Sequence, residues 1–152
     1  MRLIDLLDPA AVLPDLKGRE KKDVLDELAA AMGPGLGVPA DRVARVLAER
    51  EKLGSTGIGD GIAIPHGKIE GIEGLRVGFA RSGPGVDFEA MDGGATHLFF
   101  VLIAPEESVG DHLKTLARIS RMLKDNAFRS RLMKAKSREQ ILSLIEEEDA
   151  RQ

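Results

Sequence analysis

Cysteine is absent from the chain, as are tryptophan and tyrosine, and five phenylalanines supply all of its aromatic rings. Without a thiol there is no disulfide, no thiolate-bound zinc or iron–sulfur cluster and no cysteine nucleophile, so any chemistry must run on nitrogen and oxygen groups. So few rings leave little to stack against single-stranded nucleic acid or a sugar face, which disfavours direct binding of either. No apolar run approaches the ~18 residues of a membrane-spanning helix. Asp5 and Asp8 fall before any long apolar stretch, so no signal sequence is read at the N-terminus. An excess of one charge is missing too: 22 Lys and Arg against 25 Asp and Glu leave a net charge of -3, with no overall attraction to nucleic acid or an anionic membrane. These absences together predict a soluble, cytoplasmic protein with no nucleic-acid and no membrane partner.

What is present suits one core. A chain of 152 residues with 43% apolar content fills a single domain. No internal repeat or low-complexity linker divides it, so residues 1–152 are expected to form one unit. From Glu20 to Met32, the residues Val24, Leu25, Leu28, Ala29 and Met32 recur at helical spacing, and Gly33-Pro34-Gly35 is the expected stop. A second helix is predicted from Pro39 through Val43, Val46 and Leu47 to Gly54, with Arg50 and Glu51 in its last turns. Ile62-Ala63-Ile64-Pro65 reads as a short strand, since Pro65 biases Ile64 toward the extended region. Leu75–Ala80 and Leu98–Ala104 read as further strands, the latter apolar throughout and so expected to be central. Ser108 opens another predicted helix through Leu113, Leu116, Ala117, Met122 and Leu123, and Ser137 with Gln140 suggests a capping box before Ile141, Leu142 and Ile145. Strands interleaved with helices predict an α/β fold, a three-layer α/β/α sandwich around a central mixed β-sheet.

Composition shifts most sharply between Arg50 and Lys68, where five glycines (54, 57, 59, 61 and 67) accompany Ser55, Thr56 and His66. Glycines at this density permit positive φ and close backbone approach, so that amide groups can converge on an anion; the plainer reading is a loop built only to turn. Two nucleotide motifs fail. A dinucleotide fingerprint beginning at Gly57 needs glycine where Ile62 stands, and a phosphate-binding loop ending in Gly67-Lys68 needs glycine at Ile62 and a hydroxyl at Ile69. His66, between a rigid proline and an uncrowding glycine, is then the candidate nucleophile, because a neutral imidazole attacks phosphorus readily near pH 7. Arg50 offers a planar fork of donors for phosphoryl oxygens, or else is an arginine favoured at a helix C-terminus. His112 falls in the first turns of its predicted helix, where the dipole favours an anion and a neutral ring; its plainer reading is a histidine satisfied by backbone. His97 has only that second reading, and three scattered histidines lack metal-ligand spacing, so neither metal nor cofactor is expected.

On Arg50-Glu51, Ser55-Thr56-Gly57-Ile58-Gly59, Ile64-Pro65-His66-Gly67-Lys68, Ala104-Pro105 and Gly110-Asp111-His112-Leu113-Lys114-Thr115-Leu116-Ala117, the sequence resembles the enzyme IIA components of the bacterial phosphotransferase system. The likeness is to the fructose and mannitol class and most to its nitrogen-related branch, and it extends from about Leu3 to Glu147. The resemblance implies that His66 accepts a phosphoryl group through Nε2 from a histidine-containing phosphocarrier protein, with phosphoenolpyruvate as the ultimate source. It also implies that Arg50 and His112 flank that group, while Ser55, Thr56, Gly57 and Gly67 are the candidates for holding phosphate. Passage to a IIB domain for sugar uptake, and binding of a regulated target protein, are both compatible with such a site. Asp60 stands where asparagine is common in the nitrogen-related branch, and an acidic group beside phosphate would be repulsive unless it points away. From Lys114 to Arg138, nine basic residues face Asp125 alone, read as the solvated faces of two helices, and the acidic run Glu146–Asp149 reads as a frayed tail.

Overall fold

In the computed structural model, which describes residues 2–152, the elements follow the chain as α1 (Leu3–Leu6), β1 (Leu7–Leu13), α2 (Lys21–Leu36), α3 (Ala40–Glu51), β2 (Gly57–Gly59) and β3 (Ile62–Ala63). They continue as β4 (His66–Lys68), β5 (Arg76–Val86), β6 (Thr96–Ala104), α4 (Val109–Leu123), α5 (Asn126–Lys134) and α6 (Arg138–Ala150). The strands make one sheet in the order β1-β5-β6-β3-β2, with β4 also paired to β6. β5 and β6 run antiparallel, whereas β1 pairs parallel to β5, and β3 and β4 pair parallel to β6, so the sheet is mixed. β1 carries Pro9 at the sheet's edge, where a residue without an amide hydrogen is tolerated.

β6 is apolar at nearly every position because both of its faces are covered. Leu98, Phe100, Leu102 and Ala104 point to one side, into a core with Ile119, Met122, Phe128, Leu132, Ile141 and Ile145 of α4, α5 and α6. Phe99, Val101 and Ile103 point to the other, among Val24, Leu28, Met32, Val43 and Leu47 of α2 and α3. Strand alternation thus sorts one run into two cores, and the three-layer α/β/α expectation holds.

β3 and β4 read as one extended segment interrupted at Ile64-Pro65. Ile62 lies opposite Leu98 and His66 opposite Leu102, four residues further along both strands, so the register with β6 is kept across the break. Pro65 has no amide hydrogen to give, although its carbonyl still accepts from Leu102 N at 3.0 Å.

Three sequence expectations need correction. Helix α2 does not stop at Gly33-Pro34-Gly35; it runs on through Pro34 to Leu36 and ends at Gly37, which takes a left-handed φ of 70°. The amides of Gly37 and Val38 close the turn onto Pro34 O and Gly33 O, both at 3.2 Å, which satisfies carbonyls a proline stop would have left open. β5 extends past Ala80 to Val86, and it shares the sheet with β1, which the pattern did not reveal. The acidic end is no frayed tail: Glu146 to Asp149 belong to α6, and Asp149 is fully buried, accepting from Ile4 N at 3.0 Å and Arg118 Nε at 2.6 Å.

Candidate active site

The histidine singled out by the glycine loop sits where all three layers meet. His66 begins β4 at the sheet, α3 brings Arg50 from one side, and α4 brings His112 from the other. Together they line an open groove of about 560 Å³ whose rim includes Leu53, Lys68, Val109 and Leu113. Leu53, Val109 and Leu113 are exposed although apolar. The imidazoles of His66 and His112 meet edge to face, with centroids 5.4 Å apart and planes at 81°.

Local sequence fixes the tautomer of His66. Pro65 keeps Ile64 extended, and the Ile64 carbonyl lies 2.7 Å from His66 Nδ1. A carbonyl only accepts, so Nδ1 carries the hydrogen and donates it, which leaves the lone pair on Nε2. Burial pushes His66 below the ordinary histidine value; the Ile64 hydrogen bond opposes this, Arg50's charge reinforces it, and Glu51's charge again opposes, with the net shift downward. His112 is lowered as well, by burial first and then by the charges of His66 and Lys68. Both rings are therefore neutral near pH 7. His112 is 6% exposed and its Nε2 has no hydrogen-bond partner, an orphaned buried polar atom in the wall of the site.

Arg50 is placed by packing. A Cβ built on Gly67 would lie 2.3 Å from Val46 Cγ1, so α3 rests directly on the glycine of β4. Arg50 follows Val46 by one helical turn and shares its face, which carries the guanidinium to the groove beside His66. Its Nη1 donates to Gly54 O at 3.0 Å, tying the arginine to the turn that follows its own helix.

Of the other residues expected to hold phosphate, Ser55, Thr56 and Gly57 are not brought into this groove. Ser55 Oγ donates to Phe88 O at 2.7 Å and accepts from Gly57 N at 3.0 Å. Thr56 is buried, and its hydroxyl donates to Glu51 Oε2. A Cβ on Gly57 would come within 3.1 Å of Ala90, so this glycine answers to close packing. Gly67 lines the groove, but through the α3 contact. Asp60 lies outside the groove in a left-handed turn (φ 57°), its amide donating to Asp92 Oδ2 at 3.1 Å, a conformation that asparagine and aspartate tolerate better than most residues. His97 takes its plainer reading, with Nδ1 2.9 Å from Ser82 O. Among the described residues no cluster of three or more His, Asp or Glu could hold a metal ion, and no helix is long and apolar enough to cross a membrane.

Sequence reading missed Glu51. Its carboxylate is buried, accepting from Thr56 N at 3.1 Å and pairing with Lys21 Nζ at 2.9 Å. A glutamate at the end of a helix, followed within five residues by Ser and Thr, was the available signal.

Comparison with known proteins shows the family. The family model described as "Phosphoenolpyruvate-dependent sugar phosphotransferase system, EIIA 2" matches residues 5–148. The chain is 44% identical over 145 residues to a nitrogen regulatory protein of Bradyrhizobium diazoefficiens, covering 95% of each. It is 35% identical over 151 residues to the PTS system fructose-specific EIIABC component of Bacillus subtilis, covering 98% of this chain and 24% of that one. Among solved structures it resembles the nitrogen regulatory protein IIA-Ntr from Neisseria meningitidis, with a TM-score of 0.88, 31% identity, and coverage of 93% of this chain and 97% of that one.

Proposed function

The chain belongs to the EIIA 2 family of the phosphoenolpyruvate-dependent sugar phosphotransferase system, and we propose that within it residues 1–152 act as one IIA domain that receives a phosphoryl group on His66 Nε2. The observation that carries this reading is the hydrogen bond from His66 Nδ1 to Ile64 O at 2.7 Å, which presents the ring as the neutral tautomer with Nε2 unprotonated. The donor is a phosphohistidine on a histidine-containing phosphocarrier protein. In the step, the Nε2 lone pair forms a bond to phosphorus while the bond from phosphorus to the donor's ring nitrogen breaks, and the electron pair of that bond leaves with the donor imidazole. Ring charge on His66 rises as the bond forms, and the Ile64 carbonyl, already accepting from Nδ1, stabilises it. Arg50 is suited to the phosphoryl oxygens through its planar donors, and His112 Nε2 is a donor or acceptor without a protein partner. The apolar rim of Leu53, Val109 and Leu113 suits contact with a partner protein.

Regulation is the favoured downstream role, by likeness to the nitrogen regulatory proteins. The phosphoryl group adds about -1.5 to -2 charge at the groove, enough to change which protein docks there. The second reading, passage of phosphate to a IIB domain for sugar uptake, is favoured by the likeness to a fructose-specific EIIABC component. Both place the reaction in the cytoplasm. The test is incubation with phosphoenolpyruvate and the general phosphotransferase proteins: the chain gains one acid-labile, base-stable phosphoryl group, and His66→Ala gains none. Full labelling of His66→Ala overturns the assignment. Rapid transfer to one sugar-specific IIB protein, with no partner distinguishing the two states, replaces regulation with transport.

A further inference from the structure

The side chain of Glu51, next in sequence to Arg50, turns away from the groove and is 5% exposed. There it meets Lys21 Nζ at 2.9 Å, Thr56 N at 3.1 Å and the Thr56 hydroxyl. Thr56 passes the restraint on: its carbonyl accepts from Ile64 N at 3.1 Å. Ile64 in turn accepts on its own carbonyl from His66 Nδ1 at 2.7 Å. A line of hydrogen bonds, joined through the backbone of Thr56 and Ile64, therefore runs from a buried carboxylate to the ring nitrogen that decides the tautomer.

This line lies at the break between β3 and β4. Pro65 has no amide hydrogen to give, although its carbonyl accepts from Leu102 N, and the Ile64 amide bonds to Thr56 O, one step beyond the pairing of Gly57 with Ala63. We propose that Glu51 is a positioning residue for His66: by clamping Thr56 it fixes the Ile64 peptide, and so keeps His66 in the Nδ1–H form with Nε2 free. The inference rests on His66 as phosphoacceptor. Turning a loop does not require a buried carboxylate, which must be taken from water and matched by a cation, and an apolar contact would serve at lower cost. Lys21 supplies the cation: burial lowers its pKa, but the hydrogen bonds and charges of Glu51 and Glu89 outweigh this and hold it above the ordinary lysine value. The charged groups around His66 are Arg50, Glu49 and Glu51 from α3 and Lys68 from its own strand, and His112 of α4 is the other titratable group. Of these, Glu51 is the anion that favours the protonated ring, opposed by Arg50.

The test compares Glu51→Gln, Thr56→Val and Thr56→Ser with the unmodified chain. Nitrogen-15 shifts of His66 in the unphosphorylated protein report tautomer and pKa, and the rate of phosphoryl uptake from the phosphorylated donor reports function. Glu51→Gln and Thr56→Val are expected to give mixed tautomers at His66. Their kcat falls on the order of ten- to a hundredfold, with KM within about twofold because Glu51 does not line the groove. Glu51→Gln also lowers the pKa of His66. Thr56→Ser keeps the hydroxyl and restores both tautomer and rate. Folded variants that hold a single Nδ1–H tautomer overturn the proposal, as does Thr56→Val slowing transfer while the tautomer stays pure. Should Glu51→Gln fail to fold, the two Thr56 variants decide alone. A wild-type chain that takes no phosphate overturns the carrier reading, while the nitrogen shifts still judge the positioning of His66.

Discussion

Replacing Gly67 by alanine should injure both stability and transfer, through one contact. Gly67 has no positive φ, so the new side chain strains no backbone. Its Cβ would fall 2.3 Å from Val46 Cγ1, whereas carbon atoms settle at about 3.5–4.0 Å, a shortfall of more than about 1 Å. Valine in a helix keeps largely to one rotamer, so Val46 cannot swing aside cheaply and α3 must lift from β4. Overpacking of this kind costs about 1–3 kcal/mol. At roughly 2–4 °C per kcal/mol for a chain of this size, Tm should fall by about 2–12 °C. Arg50 rides on the same face of α3, and a displacement of about 1 Å at a reacting centre is enough to slow transfer on the order of a hundredfold. The next atoms of Val46 lie at 3.7 Å, an ordinary contact, so deleting Cγ1 removes the conflict. The double variant Gly67→Ala with Val46→Ala should therefore transfer phosphate faster than Gly67→Ala alone. Thermal melting and single-turnover uptake on the four proteins of the cycle measure this. Wild-type melting in Gly67→Ala, or a double variant no faster than the single one, refutes the account of how Arg50 is held.

Arg50→Lys, which keeps charge but loses the fork, and His112→Ala should each slow uptake by roughly ten- to a thousandfold in stopped-flow transfer without abolishing it; unchanged rates return both residues to a structural role. Uptake should rise with pH about a midpoint below the ordinary histidine value of about 6.5, since burial lowers His66; a midpoint at or above 6.5 in the rate profile contradicts this. The same shifts act on stability. The unfolded chain binds protons that buried His66 and His112 refuse, so their contribution is complete above about pH 6.5 and is lost as pH falls through the folded values, which melting from pH 7 to 5 should register. Asp149→Ala leaves Arg118, whose side chain is 14% exposed, without its carboxylate, and should cost on the order of 3 kcal/mol in denaturant unfolding; a loss under about 1 kcal/mol means that the end of α6 frays.

Helical spacing was enough to find α3 and α4, and the unbroken apolar run Leu98–Ala104 announced the central strand, because these patterns record burial residue by residue. His66 stood out as a candidate from its setting, a lone histidine between Pro65 and Gly67 after a glycine loop, and the structure brings it into one groove with Arg50 and His112. What escaped depended on partners distant in sequence. Pro34 looked like a helix stop until the amide of Val38 closed the turn onto Gly33. Asp149 looked like a solvated tail, yet its partner Ile4 lies at the other end of the chain. Ser55 and Thr56 looked like phosphate ligands because hydroxyls beside glycines suit that task, and nothing local shows that Phe88 O and Glu51 already occupy them.

The meeting of three layers at His66 makes the groove a calliper. Its jaws stand on helices of different cores, Arg50 on α3, which packs with α2, and His112 on α4, which packs with α5 and α6, and the strand between them carries His66. Sliding of either helical layer over the sheet changes the gap between the jaws even where no groove residue is altered. The rate of phosphoryl uptake is thus a gauge of shear in the whole sandwich, and a core substitution far from His66 should be readable in it.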